Sequence, residues 1–151
     1  MPIRLSVRGA DKLGQLARRL KEYGDKQLRS ELFRAINRAT RPMKEDVRGA
    51  AFWRLPKRGG LNKRVAQTRI TTKNKLAGRG VGVRIIGRSG YDIGSIDRGR
   101  VRHLTFGHLP WSDQAVRPGF WTEPLKADAR IARKEIITAM NTIGKKIERG
   151  I

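Results

Sequence analysis

Thr122-Glu123-Pro124-Leu125-Lys126-Ala127-Asp128-Ala129-Arg130-Ile131-Ala132-Arg133-Lys134-Glu135-Ile136-Ile137-Thr138-Ala139-Met140-Asn141-Thr142-Ile143-Gly144-Lys145-Lys146-Ile147 is the stretch on which the fold turns. Leu125, Ala129, Ala132, Ile136, Met140, Ile143 and Ile147 follow one another at steps of 4, 3, 4, 4, 3 and 4 residues. That spacing keeps all of them on one helical face for about six turns. Thr122 is placed to cap the helix, Glu123 suits its positive end, and Pro124 is tolerated in the first turn. Lys145, Lys146 and Arg149 stand near the negative end. The reading is a long amphipathic helix over 122–149.

Upstream of it the helical period disappears. Gly107 to Gly119, which holds Trp111, and Gly87 to Gly99 both read as long loops, because Gly and Asp punctuate them. Between the two, Arg100 to Phe106 reads as a strand. Val81 to Ile86 and Arg64 to Thr72 read as two more, on β-branched content and partial alternation. Neighbours on a strand face opposite ways, so Arg64 is expected outside and Val65 inside. Lys73-Asn74-Lys75 and Gly78-Arg79-Gly80 form a basic connection between the strands. Phe120 and Trp121 are expected to pin the Pro118–Leu125 lead-in of the last helix to the sheet, with Trp111 as a third anchor.

Helical spacing returns before Leu55-Pro56-Lys57-Arg58-Gly59-Gly60, a run of turn residues. Asp11 can start a helix whose apolar face is Leu13, Leu16, Ala17 and Leu20. Gly24 interrupts it, and Asp25 starts another with Leu28, Leu32, Ala35, Ile36 and Ala39. Pro42 is expected to kink or restart that helix, because it removes a donor and crowds the preceding turn. Met43 and Val47 carry the stripe onward. Ile3 to Val7 alternates like a half-buried strand. The expected fold is therefore α+β: a long interrupted N-terminal helical arm (10–54), a basic β region with long loops and a small antiparallel sheet (56–121), and the C-terminal helix (122–149). At 151 residues this suits a single domain, 1–151.

Thirty-five Lys and Arg oppose 13 Asp and Glu, a formal charge of +22. The excess is +8 over residues 1–55, +11 over 56–121 and +3 over 122–151. Between Val47 and Tyr91 no acidic residue occurs. Lys57, Arg58, Lys63, Arg64, Arg69, Lys73, Lys75, Arg79, Arg84 and Arg88 lie in that run and are the candidate contacts to DNA or to an acidic partner. So much charge of one sign favours a polyanionic or acidic partner over isolation. Without cysteine, disulfides, thiolate metal sites and cysteine nucleophiles are excluded. No apolar run reaches the roughly 20 residues of a membrane span. Met1-Pro2-Ile3-Arg4-Leu5 does not look like a secretory signal, so synthesis in a cytoplasm is expected.

Catalytic chemistry finds little support. His103 and His108 are the only histidines, too few for a metal site, and His103 is expected to pack at a strand end. Ser89, Ser95 and Ser112 lack a nucleophile-elbow context, and no phosphate-binding glycine motif occurs. Asp92 and Asp97 lie in the Gly-rich loop with nothing in the sequence to fix them, so a Mg²⁺-dependent nuclease is not expected. No catalytic residue, metal or cofactor is assigned. The helix-turn-helix, zinc and RNP signatures of base-specific readers are missing too.

One combination goes beyond composition. It comprises Leu55-Pro56, Gly59-Gly60-Leu61-Asn62, Val83-Arg84-Ile85-Ile86, Asp97-Arg98-Gly99-Arg100-Val101-Arg102-His103, Phe106-Gly107, Trp111, and Arg117-Pro118-Gly119-Phe120-Trp121-Thr122-Glu123-Pro124-Leu125. Over roughly residues 25–145 this resembles the tail-completion (neck, or head–tail joining) proteins of long-tailed bacteriophages; Leu104 departs from the proline that family members often carry after the histidine. The resemblance implies a non-enzymatic virion protein forming a homo-oligomeric, hexameric ring at the head–tail junction. It also implies phage DNA in the channel, connector or stopper proteins on one side, and tail terminator or tail-tube proteins on the other. The competing expectation is a non-sequence-specific nucleic-acid-binding protein of ribosomal or nucleoid type.

Overall fold

The computed structural model describes residues 2–5, 10–76, 82–105 and 107–150. Along the chain they form β1 (Pro2–Leu5), α1 (Ala10–Glu22), α2 (Lys26–Arg54), a 3₁₀ turn (Arg58–Gly60) and α3 (Leu61–Ala66). There follow β2 (Arg69–Lys75), β3 (Gly82–Arg88), α4 (Ile93–Asp97), β4 (Arg100–Thr105), β5 (His108–Ala115) and α5 (Thr122–Glu148). The fold is α+β, with two small antiparallel sheets of order β1-β3-β2 and β4-β5. Arg79, Phe106 and the Ser6–Val7 end of the first expected strand lie outside the described residues.

The residues group into two compact units. One comprises Pro2–Pro42, Thr71–Ile86 and Asp128–Ile151. Its core is one cluster of Leu13 and Leu20 from α1, Leu28, Leu32, Ile36 and Ala39 from α2, Val83 from β3, and Ile136, Met140 and Ile143 from α5. These are the apolar stripes of the three helices, facing each other as their spacing requires. Gly24 takes a left-handed φ of 66° at the break between α1 and α2. Asp25 then caps α2, its Oδ1 accepting the Leu28 N–H at 2.9 Å. The buried Thr40 hydroxyl donates to the Ile36 carbonyl at 3.0 Å and meets the Thr72 hydroxyl of β2 at 3.1 Å. The Lys146–Glu31 pair, at 2.7 Å, is half-buried on both sides, still open to water, and adds little.

The other unit comprises Met43–Ile70 and Gly87–Ala127. Its buried apolar residues include Met43, Val47, Ala51, Leu55, Val65, Ile93, Ile96, Phe120, Trp121 and Leu125. Arg54, at the end of α2, donates to the Gly119 carbonyl at 3.2 Å and forms an ion pair with Glu123.

Three expectations are corrected and one is narrowed. Of the kink or restart expected at Pro42, the restart does not occur: α2 runs through it as one continuous helix. Pro42 and Arg38, whose carbonyl loses its partner, are both exposed, so water can take the missing bond. Arg64 to Thr72 is not one strand, because Leu61–Ala66 is helical and only Arg69 onward is extended. Gly59 and Gly60 supply left-handed φ values of 77° and 72° ahead of that short helix. Val65 and Asn62, three residues apart, are its buried side, and the Asn62 amide donates to the Phe52 carbonyl at 3.1 Å. The stretch 87–99 contains α4, capped by Asp92 and burying Ile93 and Ile96. Finally, 107–119 contains β5, paired with β4 in the register Arg100↔Ala115, Arg102↔Asp113 and Leu104↔Trp111. The Leu109–Pro110 peptide in it is cis. A proline is tolerated there because both strands of a two-stranded sheet are edges.

Lys44 gives a first expected outcome. Burial, and then the like charge of Arg48 one turn on, hold its pKa below the usual lysine range. Folding thus disfavours the protonated form. The penalty is fully present at neutral pH and fades as pH rises from the lowered folded pKa toward the ordinary value. Lys44→Gln should raise Tm by about 1 °C at neutral pH and flatten the alkaline rise in stability, read by thermal unfolding across pH.

Candidate nucleic-acid interface

Nine of the ten cations singled out from the sequence are described, and all but the half-buried Arg84 are exposed. They are spread over several elements. Lys57 precedes the 3₁₀ turn that holds Arg58, Lys63 and Arg64 ride on α3, Arg69, Lys73 and Lys75 are on β2, and Arg84 and Arg88 are on β3. Only the β2 and β3 members lie on strands. Lys73, Lys75 and Arg84 belong to the first unit and the other six to the second.

In the second unit, exposed aromatic rings sit beside cations. Trp53 is 72% exposed, with the Lys57 ammonium 5.4 Å from its ring centre and Phe52 edge-on to it. The Tyr91 hydroxyl accepts from Arg64 at 3.2 Å. Trp111 is 50% exposed under the Arg102 guanidinium, 5.4 Å from the ring centre. Trp111 was expected to be an anchor and is instead a surface residue. β5 has no buried position, so its side chains have nothing to be anchored into. Phe120 and Trp121 are both 1% exposed and pack edge to face, centroids 6.4 Å apart. His103 is exposed on β4 rather than packed.

Two clefts adjoin in this unit. One, of about 420 Å³, is lined by Tyr91, Asp92, Ser95, Ile96, Arg98, Arg100, Val101, Arg102 and Asp113. The other, of about 520 Å³, is lined by residues 87–89 and 91–94 with Arg98, so that Tyr91, Asp92 and Arg98 belong to both. Arg98, Arg100 and Arg102 lie outside the acid-free run, which ends at Tyr91. The available signal was their spacing: residues two apart on a strand share a face, so Arg100 and Arg102 of β4 project together.

The carboxylates of this region are engaged within the fold. Asp92 accepts from the Ser95 hydroxyl at 2.7 Å and its amide at 3.1 Å. Those bonds, the hydroxyl first, hold its carboxyl below the usual carboxylate range. Asp113 pairs with Arg100 at 3.2 Å, and Glu123 with Arg54. Asp97 is buried and its Oδ1 accepts the amides of Trp121 and Thr122 at 2.7 and 3.1 Å. Asp92 and Asp97 are therefore fixed after all, in separate structural roles. Thr122, expected as the cap of the last helix, is its first helical residue, and Asp97 takes its N–H.

Among the described residues no group of three or more His, Asp or Glu is placed to hold a metal ion, and no helix is long and apolar enough to cross a membrane. What the arrangement offers chemically is cation and π-surface. No family model, curated protein or solved structure matches the chain.

Proposed function

We propose that the chain is a non-catalytic structural component of a phage neck, ringing the DNA channel at the head–tail junction and docking through its cations onto DNA and onto acidic faces of neighbouring virion proteins. The observation that carries the docking half is the division of labour among charges. The carboxylates of residues 87–127 are engaged in caps and ion pairs, while Lys57, Arg58, Lys63, Arg64, Arg69 and Arg88 stay exposed. The ring, its six copies and the neighbours on either side come from the resemblance carried by Asp97–His103, Trp111 and Arg117–Leu125. Electron microscopy of intact particles tests them. Density for this chain at the head–tail junction supports the reading, and density elsewhere, or none, overturns it.

The exposed aromatic–cation pairs favour a second reading on the same surface, a nucleic-acid-binding protein without sequence preference. Both readings require salt-sensitive binding to duplex DNA. With four phosphate contacts, affinity should fall roughly 100-fold between about 50 and 200 mM salt. Changing Lys57, Arg58, Lys63 and Arg64 together to Gln should flatten that dependence, read by fluorescence anisotropy. Binding to duplex DNA that ignores salt would sink both readings.

A further inference from the structure

We propose that the adjoining clefts of the second unit bind single-stranded polynucleotide, with Tyr91 and Trp111 as base-stacking surfaces and Arg88, Arg98 and Arg102 gripping phosphates. This rests on the polyanion-docking reading above and adds the strand state and the place.

Phosphate attraction alone needs no aromatic residue, yet a ring stands beside the cations of these clefts. Tyr91 lines both clefts and is 38% exposed, with Arg64 on its hydroxyl. Trp111 lies under Arg102, itself a cleft residue. Each of the two rings, Tyr91 in the clefts and Trp111 beside the first of them, has a guanidinium group next to it. A ring paired with a cation is a surface on which unpaired bases stack while the backbone is held electrostatically. A duplex hides its base faces in its own stack, so the rings have a use only for unpaired nucleotides. A protein partner would call for a contiguous apolar centre besides such rings, and the clefts are lined mainly by polar and charged residues. The clefts, of about 420 and 520 Å³, are open to solvent, as a site that admits a continuous strand requires.

Two carboxylates also line the clefts and oppose phosphate. Asp92 is held ionised by Ser95, and Asp113 half-neutralises Arg100 at 3.2 Å. Arg98 donates to the Ser95 hydroxyl at 3.1 Å and faces the Asp92 charge, so the grip falls first to Arg88 and Arg102, with Arg98 beside them, and Asp113 acts as a brake. That gives a test with a sign: Asp113→Asn should tighten binding, by about threefold for an exposed pair.

The experiment uses the full chain in a Trp53→Phe background, which leaves Trp111 as the exposed indole and the buried Trp121 as reference. Oligo(dT), a duplex of equal length, inorganic polyphosphate and poly-glutamate are titrated in low salt. Oligo(dT) should quench the Trp111 emission and bind at least about tenfold tighter than polyphosphate of equal charge. Trp111→Ala should cost oligo(dT) roughly tenfold in affinity and polyphosphate far less. Arg102→Gln, a milder change at the same place, should weaken both, and circular dichroism checks that each variant is folded. Unquenched emission with oligo(dT), equal affinity for polyphosphate, equal quenching by poly-glutamate, or no tightening in Asp113→Asn would each overturn the site. If salt-sensitive duplex binding persists in that case, only the single-strand site is lost. If no polyanion binds at all, the docking reading falls with it.

Discussion

Asp97→Ala is expected to destabilise the chain by about 3 kcal/mol and to lower Tm by roughly 6–12 °C. Asp97 ends α4 and is only 5% exposed. One carboxylate oxygen accepts the amides of Trp121 and Thr122 at 2.7 and 3.1 Å, and the Asp97 carbonyl accepts the Gly119 amide at 2.8 Å. The two amides stand where α5 begins, and the first N–H groups of a helix have no partner inside it. A carboxylate there satisfies two donors and also meets the positive end of the helix dipole. Charged hydrogen bonds are worth about 1.5–3 kcal/mol each, and alanine leaves two amides without an acceptor. Asp97→Asn keeps an acceptor oxygen but loses the charge, so it should cost about half as much. Urea unfolding of the two variants separates the contributions. A loss below about 1 kcal/mol for alanine, or equal losses for both, would show that the carboxylate does not hold the start of α5.

That contact also shows why part of the molecule was legible in the sequence and part was not. Helical stripes repeat every three or four residues and report their own burial. Of the seven stripe positions of α5, Leu125, Ala132, Ile136, Met140 and Ile143 are buried, and only Ala129 and Ile147 remain half-exposed. α3 and α4 have 6 and 5 residues, too few for a period to emerge from β-branched or glycine-rich surroundings. β5 carries no alternation because it has no buried side to alternate with. Asp97 was unreadable for another reason, since its partners lie 24 and 25 residues away and nothing local marks the pairing. The same holds for the clefts. The sequence shows a long run without acids, but Arg98, Arg100 and Arg102 lie beyond it among aspartates that the fold engages one by one. Counting charges along a chain cannot register that Asp92 is bonded to Ser95 or Asp113 to Arg100.

Gly87 and Trp121 should show the other large effect, and show it as a pair. A Cβ built on Gly87 would lie 2.5 Å from Cη2 and 2.8 Å from Cζ3 of Trp121, and 3.0 Å from Cδ1 of Ile93. The indole cannot swing away cheaply, because it is buried against Phe120. Gly87→Ala is therefore expected to cost about 2–3 kcal/mol by overpacking. Trp121→Ala should cost about 4 kcal/mol through lost burial and the space left behind. Trp121→Phe should cost much less, since the indole N–H is buried with no hydrogen-bond partner among the described residues and its removal relieves a desolvation penalty. The decisive measurement is the double variant. With the ring gone, only the flexible end of Ile93 stays close to the new methyl group, so Gly87→Ala should cost little in the Trp121→Ala chain. The coupling should then be about 2–3 kcal/mol. Gly87 does not have one of the left-handed φ values found at Gly59 or Gly119, so alanine meets no backbone strain there. An undiminished cost of Gly87→Ala in the Trp121→Ala chain would mean that the ring does not lie over this glycine.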